Sequence, residues 1–253
     1  TGTNGKSSIA DFYFQLLNLS NRKVASIGTL GIKTKNNLQK VSNTTSDPIE
    51  LSKILDKLKK QKIDNVILEA SSHGLKQNRL DGLLFNTAIF TNLSHDHLDY
   101  HKTFNNYLNS KLYLFEKLLK LKGNIITDSK IPEYKDLKKI SKKNKFNLQA
   151  LSKNNYGINI NSHQYKDEKQ LIEIMHTQKS YKLQIGLIGR IQLKNLFMAM
   201  LAAQRSNLKF DKIVKLIPKI KSVSGRFEKI GILKNKSKVI LDYAHTPDAL
   251  NTC

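Results

Sequence analysis

TGTNGKSS, Thr1 to Ser8, decides how the rest of the chain is read. Gly2 and Gly5 let the backbone curl so that its N–H groups point inward, and a helix beginning after them adds its positive end. In such a loop Lys6 reaches the β- and γ-phosphates of a nucleotide and Ser7 ligates Mg²⁺. The spacing departs from G-x-x-x-x-G-K-[ST], because only Thr3 and Asn4 separate the glycines. A glycine turn that merely caps a helix is the competing reading. A loop of this kind joins a strand to a helix, and the chain opens on the loop itself, so the first strand is expected to be missing.

Outward from the loop, the pattern is that of an α/β protein. Ile9, Phe12, Leu16 and Leu19 follow helical spacing, and Lys23 to Gly28 reads as a short strand. Asp47-Pro48 caps a helix running to about Leu58. NVILEAS (Asn65–Ser71) and NTAIFTNLS (Asn86–Ser94) are strands ending in carboxylate, hydroxyl and amide groups. Thr103 to Lys120 reads as helix, Gly123 to Thr127 as strand, and Ser129 to Ser180 as edge strands and loops. Tyr181 to Gly189 leads into a helix over Gln192–Ser206, Asp211 caps another ending near Pro218, and FEKIGIL and KVILDYA form a strand pair. Helices alternating with strands predict a mostly parallel sheet flanked by helices, with ligands beyond the carboxyl ends of the strands. A domain boundary is expected near Ser222.

Composition bounds the function classes. The 253 residues, 39% hydrophobic, can bury one core or two. No run of about 18 apolar residues predicts a transmembrane helix, and no leader is visible at the start. The single Cys253 forms no internal disulfide and agrees with a reducing cytoplasm. A net charge of +23 points toward nucleic acid, but only five of the 43 basic residues are arginine. The lysines lie in solvated helical faces such as KILDKLKKQK, without interleaved aromatics. A nucleic-acid-dependent P-loop ATPase is therefore the weaker reading, and no nucleic-acid partner is expected.

Three further stretches carry chemistry. In LEASSHGL (Leu68–Leu75) a strand ends in Glu69, a carboxylate opposite the loop that suits Mg²⁺; Ser71 or Ser72 also fits a helix cap. TNLSHDHLDYH (Thr91–His101) crowds His95, His97, His101, Asp96 and Asp99 together. Without cysteines or HExxH, an oxygen-rich magnesium site with one helping imidazole fits better than zinc. Lys111 stands at the edge of the apolar stripe Phe104, Leu108, Leu112, Phe115, Leu119. It either snorkels to solvent or is partly buried and neutral, and a neutral amine reacts with CO₂ to give a carbamate.

These stretches, with NTTSDP, YLNSK, SGRFE and DYAHTPDAL, occur in the order found in the Mur ligases, which the chain resembles from Thr1 to Leu250 and most weakly over Ser129–Ser180. The resemblance is to the family member that adds a diamino acid; folylpolyglutamate synthase shares less of the motif text. It implies a P-loop-type central ATPase domain over 1–222, the start of a Rossmann-like C-terminal domain over 223–253, and an N-terminal UDP-binding domain outside the sequence, making the chain a fragment. The implied substrates are ATP, UDP-MurNAc-L-Ala-D-Glu and a diamino acid, in a monomeric cytoplasmic enzyme. Gly2, Thr3, Asn4, Gly5, Lys6 and Ser7 would cradle the triphosphate, Asn195 contact adenine, and Arg226 and Asp242 the phosphate and ribose. Asn43, Thr44, Thr45, Ser71, Gln77 and Arg79 would bind the UDP-MurNAc-dipeptide. Ser7, Glu69, His97 and Lys111, the last as a carbamate, would hold two Mg²⁺ ions. Lys6, Glu69, His97 and Lys111 would be catalytic. Three positions depart from the family pattern: His95 replaces arginine, Lys102 glycine, and Gln192 asparagine.

Overall fold

The computed structural model describes residues 1–152, 157–166 and 168–252; Cys253 lies outside them. In chain order the elements are α1 (Lys6–Leu19), β1 (Val24–Gly28), β2 (Gly31–Lys33), β3 (Leu38–Gln39), α2 (Pro48–Lys60), β4 (Asn65–Leu68), α3 (Ser72–Lys76) and β5 (Phe85–Ile89). Then come α4 (Leu98–His101), α5 (Phe104–Lys117), β6 (Leu119–Asp128), α6 (Tyr134–Asn144) and β7 (Asn147–Leu151). The remainder is β8 (Asn159–Lys166), β9 (Lys169–His176), β10 (Lys179–Ile185), α7 (Arg190–Arg205), α8 (Phe210–Leu216), β11 (Glu228–Ile232), β12 (Lys238–Leu241) and α9 (Pro247–Thr252).

The parallel pairings are β1 with β4, β5 with β6, and β6 with β7, while β2 and β3 extend the first group antiparallel. Adjacent residues divide between the two sides of the sheet, as strand geometry requires. Val24 and Ile126 join the core around α1 and α7, whereas Ala25 and Ile125 join the core beneath α2, α5 and α6. α1 is buried on most of its circumference, with Ile9, Phe12, Phe14, Leu16 and Leu17 all inside. Its stripe is wider than i, i+3, i+4 spacing alone predicts, because sheet and α7 enclose it from two sides. At the amino end of α2, Asp47 accepts hydrogen bonds from the Ile49 and Glu50 N–H groups, with Pro48 in the first turn.

Two groups of strands stand side by side without pairing. The order is β3-β2-β1-β4 in one sheet and β5-β6-β7 in the other, and a cleft of about 600 Å³ lined by Val66, Leu68, Phe85 and Thr87 lies between β4 and β5. Thr1 enters from that cleft. Its nitrogen donates to Ile89 O and its carbonyl accepts from Thr91 N, the pattern of a parallel pair centred on Phe90.

Several sequence expectations are corrected. Ser129–Ser180 holds more than edge strands: after helix α6, β7 extends the parallel sheet, and β8, β9 and β10 form a separate antiparallel sheet. Its alternation is one-sided, Gln170, Ile172, Ile174 and His176 facing the α1–α7 core. The helix over Thr103–Lys120 stops at Lys117, because Leu118 and Leu119 turn into β6. Asp211 does not cap α8. Lys209 occupies the cap position and Asp211 pairs with Lys179 at 2.6 Å. β11 and β12 form the expected antiparallel pair.

Candidate active site

The loop is fixed by what its carbonyls touch. Gly2 O accepts from both Lys6 Nζ (2.9 Å) and Lys111 Nζ (3.0 Å), and Thr3 O accepts from Lys6 Nζ at 2.8 Å. Asn4 O accepts from Thr91 Oγ1 at 2.6 Å and Asn92 Nδ2 at 3.3 Å. Thr3 Oγ1 meets the buried Tyr107 hydroxyl at 3.1 Å, and burial pushes that phenol up to about 12. Gly5, at φ 87°, must be glycine: a Cβ there would come within 2.5 Å of Asn195 Oδ1. The first N–H groups of α1 have no intrahelical acceptor, so they remain for an anion.

Lys111 lies deeper than the edge of its stripe. It is 1% exposed, on the face of α5 that meets the loop, with its Nζ 4.3 Å from the Tyr107 ring. Burial, reinforced by the Lys6 charge, lowers its amine well below the usual lysine range. Burial also lowers Lys6.

Glu69, 4% exposed, joins two halves of the site. Its carboxylate accepts from Ser7 Oγ (3.0 Å), Thr29 N (3.0 Å) and Thr29 Oγ1 (3.3 Å). Its backbone carbonyl accepts from Thr45 Oγ1 at 2.8 Å. Thr45 Oγ1 lies 3.1 Å from Ser71 Oγ, and Arg79 donates to Thr45 O (2.7 Å) and Gln77 Oε1 (2.8 Å). Thr45, Ser71, Gln77 and Arg79 thus form one shelf, Thr44 reaches Thr29 at 3.0 Å, and Asn43 is exposed beside Ser42. Ser71 caps α3 as expected, through Gly74 N.

The histidine turn is built differently. His97 is exposed, in the left-handed region at φ 54°, with Asp96 at 3.5 Å and the His73 ring at 4.8 Å. His95 is exposed against Phe104. His101 is buried, both ring nitrogens lack a hydrogen-bond partner, and burial holds its imidazole down at about 4. Lys102 sits at φ 67°, ψ −42° with Thr103 N bonded to His101 O, a γ-turn.

Of the expected metal set, the structure brings Ser7 and Glu69 into contact and puts Lys111 behind the loop; His97 stands with His73 and Asp96. Among the described residues no group of three His, Cys, Asp or Glu side chains is placed to hold a metal ion. The oxygen donors of Ser7 and Glu69 suit Mg²⁺.

A second cavity of about 450 Å³ collects the loop, Asn195, Arg226, Asp242 and Tyr243. Asn195 is buried, its side chain against Gly5 and 3.4 Å from Gln192 Oε1. Arg226 lies over the Tyr243 ring at 4.6 Å, and Asp242 accepts from Phe227 N and Ala244 N. Thr91, Asn92 and Tyr107 were given no individual role from sequence, although Thr91 and Asn92 open TNLSHDHLDYH just past β5 and Tyr107 opens YLNSK on α5.

The glycine loop leading into α1, with the Glu69 carboxylate against it, makes this a P-loop-type α/β fold. The chain belongs to the Mur ligase family, whose middle-domain model matches residues 1–203. It is 39% identical, over 99% of its length, to the UDP-N-acetylmuramoyl-L-alanyl-D-glutamate–2,6-diaminopimelate ligase of Rickettsia bellii, of which it covers 52%. A solved structure of a ligase of the same name superimposes with a TM-score of 0.84 at 31% identity, covering 98% of this chain and 50% of that one. The folylpolyglutamate synthase of Mycobacterium tuberculosis, complexed with ADP, shares the fold at 16% identity, TM-score 0.73, over 100% of this chain and 63% of that one. The chain spans about half the length of the curated relatives it matches. No helix among the described residues is long and apolar enough to cross a membrane.

Proposed function

We propose that these residues form the nucleotide-binding part of an ATP-dependent amide-bond ligase, which adds a diamino acid to UDP-MurNAc-L-Ala-D-Glu in peptidoglycan precursor synthesis. One observation carries the reading: Glu69 bonds the phosphate loop through its carboxylate and the Thr45–Ser71–Arg79 shelf through its carbonyl. A triphosphate on the loop and an acceptor on the shelf therefore meet at Glu69.

A carboxylate is a poor acyl donor, so the γ-phosphoryl group passes first to the D-Glu side-chain carboxylate, giving ADP and an acyl phosphate. The diamino acid's amine attacks the acyl carbon, and the tetrahedral intermediate expels phosphate. Lys6 leaves the Gly2 and Thr3 carbonyls for the β- and γ-phosphates, offsetting repulsion between triphosphate and carboxylate. Ser7 and Glu69 would hold Mg²⁺, with His97 and a Lys111 carbamate completing a two-ion set; the ions supply charge neutralisation at the transferred group. Asn195, Arg226 and Asp242 would engage the nucleoside side of ATP; meso-diaminopimelate or L-lysine serves as amine.

The same reading takes 1–222 as the ATPase unit and 223–253 as the opening of a second domain. An additional strand between β4 and β5, continuous with Thr1, and a separate UDP-binding domain complete the arrangement in a monomeric, cytoplasmic enzyme with no nucleic-acid partner. The cleft and the Thr1 pairing to β5 support that strand.

The whole protein is expected to form ADP and phosphate only when UDP-MurNAc-L-Ala-D-Glu and a diamino acid are both present, as read by a coupled ADP assay. Hydrolysis stimulated by DNA or RNA, with no response to the muramyl substrate, would overturn the proposal.

A further inference from the structure

We infer that Asn92 is the positioning residue of the phosphate loop: its side-chain amide straddles Asn4 and turns the loop's carbonyls away from the nucleotide. This rests on the nucleotide reading above and adds to it a residue that touches no substrate. Asn92 Oδ1 accepts from Asn4 N–H at 2.9 Å, and Asn92 Nδ2 donates to Asn4 O at 3.3 Å. The Asn92 backbone carbonyl accepts from Thr3 N at 3.0 Å. One residue therefore fixes the N–H of Thr3 and both polar groups of Asn4.

The geometry has an electrostatic meaning. In a trans peptide the C=O and N–H point opposite ways. Drawing Asn4 O toward Asn92 and Thr91 turns the Gly5 N–H to the other side, beside the first turn of α1. Thr91 supports the same carbonyl, and its side chain occupies the space a Cβ on Gly2 would take. A loop free to rotate about Asn4 would present a carbonyl oxygen to the triphosphate, replacing attraction with repulsion. Lys6 and Lys111 perform the corresponding service for Gly2 O, but Lys6 is withdrawn when it takes up phosphate. Asn92 stays, because nothing in the proposed chemistry requires its amide elsewhere.

The test uses the whole protein and ADP with Mg²⁺ as probe, with affinity read by calorimetry and the unfolding midpoint read without nucleotide. Asn92→Ala is expected to weaken ADP binding about fivefold, the factor a hydrogen bond of ordinary strength contributes. Asn92→Asp keeps the acceptor for Asn4 N–H but sets a carboxylate oxygen against Asn4 O, and is expected to lose more. For both variants the KM for the muramyl dipeptide stays at the parent value. ADP affinity within about twofold of the parent for Asn92→Ala would overturn the inference. So would a lowered midpoint with undiminished ADP binding, which describes a structural strut. If neither variant folds, Thr91→Val removes the second donor to Asn4 O; weaker ADP binding upholds the inference and unchanged binding overturns it. A parent that binds no ADP overturns the nucleotide reading itself, a distinguishable failure.

Discussion

The phosphate loop and the histidine turn lie at the same end of the sheet, and they are held in opposite ways. In the loop the carbonyls of Gly2, Thr3 and Asn4 each meet a side-chain donor before any ligand arrives. In the turn a buried imidazole leaves two ring nitrogens without partners, and His97 and Lys102 both take positive φ. Under the proposed function, the loop would hold a ligand common to many enzymes and gains from being rigid beforehand, while the turn would meet the particular substrate and stays partly unbonded without it.

Breaking the loop should cost most. Lys6→Ala is expected to reduce kcat of the whole enzyme about a hundredfold or more, the loss typical of removing one preorganised electrostatic group. Near-parental turnover would reduce the loop to a helix cap. Lys111 lies where the two regions meet. Lys111→Ala should lower activity by a smaller factor, and acetate should restore part of it by replacing carbamate oxygens, while Lys111→Arg should show no rescue. Steady-state rates across an acetate series decide this, and an active, acetate-insensitive Lys111→Ala enzyme removes the carbamate.

In the turn the effects move to stability. His101 binds a proton in the folded protein only near pH 4, whereas in the unfolded chain it does so from about 6.5. The unfolded state thus holds more protons between those values, so stability is full above about 6.5 and falls as pH drops toward 4. His101→Phe should flatten that slope in denaturant titrations at several pH values, with little loss at pH 7, because no hydrogen bond is removed. An unchanged slope would mean that His101 has a partner in solution. Smallest of all, Lys102→Gly should raise stability by about 1 kcal/mol, relieving a non-glycine γ-turn. A lower unfolding midpoint would show that the Lys102 bond to Asp99 O outweighs the backbone strain.

Legibility in the sequence follows the range of the interactions. The glycine turn ahead of α1, Glu69 directly after β4 and the Asp47 cap are local patterns, and the structure has each in the expected place. Clustering of Thr45 with Ser71 and Arg79 followed from family motifs, not from spacing. Lys111 was placed at the edge of its stripe because helix periodicity counts apolar neighbours only. Its burial is set by Gly2 O, a polar group 109 positions away in the chain. Tyr107 meets Thr3 across 104 positions, and nothing in a tyrosine on a helix announces that contact. The β8–β10 sheet was missed as a unit because β8 is mostly exposed and offers little alternation.

The cleft between β4 and β5 bears on solution behaviour. Each strand turns toward it an edge with no strand partner among the described residues, and Val66 and Leu84 are exposed there. Unpaired edges of this kind template the addition of any extended chain, including a neighbouring copy. The 253-residue chain alone is therefore expected to self-associate with rising concentration, through backbone pairing at a seam that its own sheet leaves open.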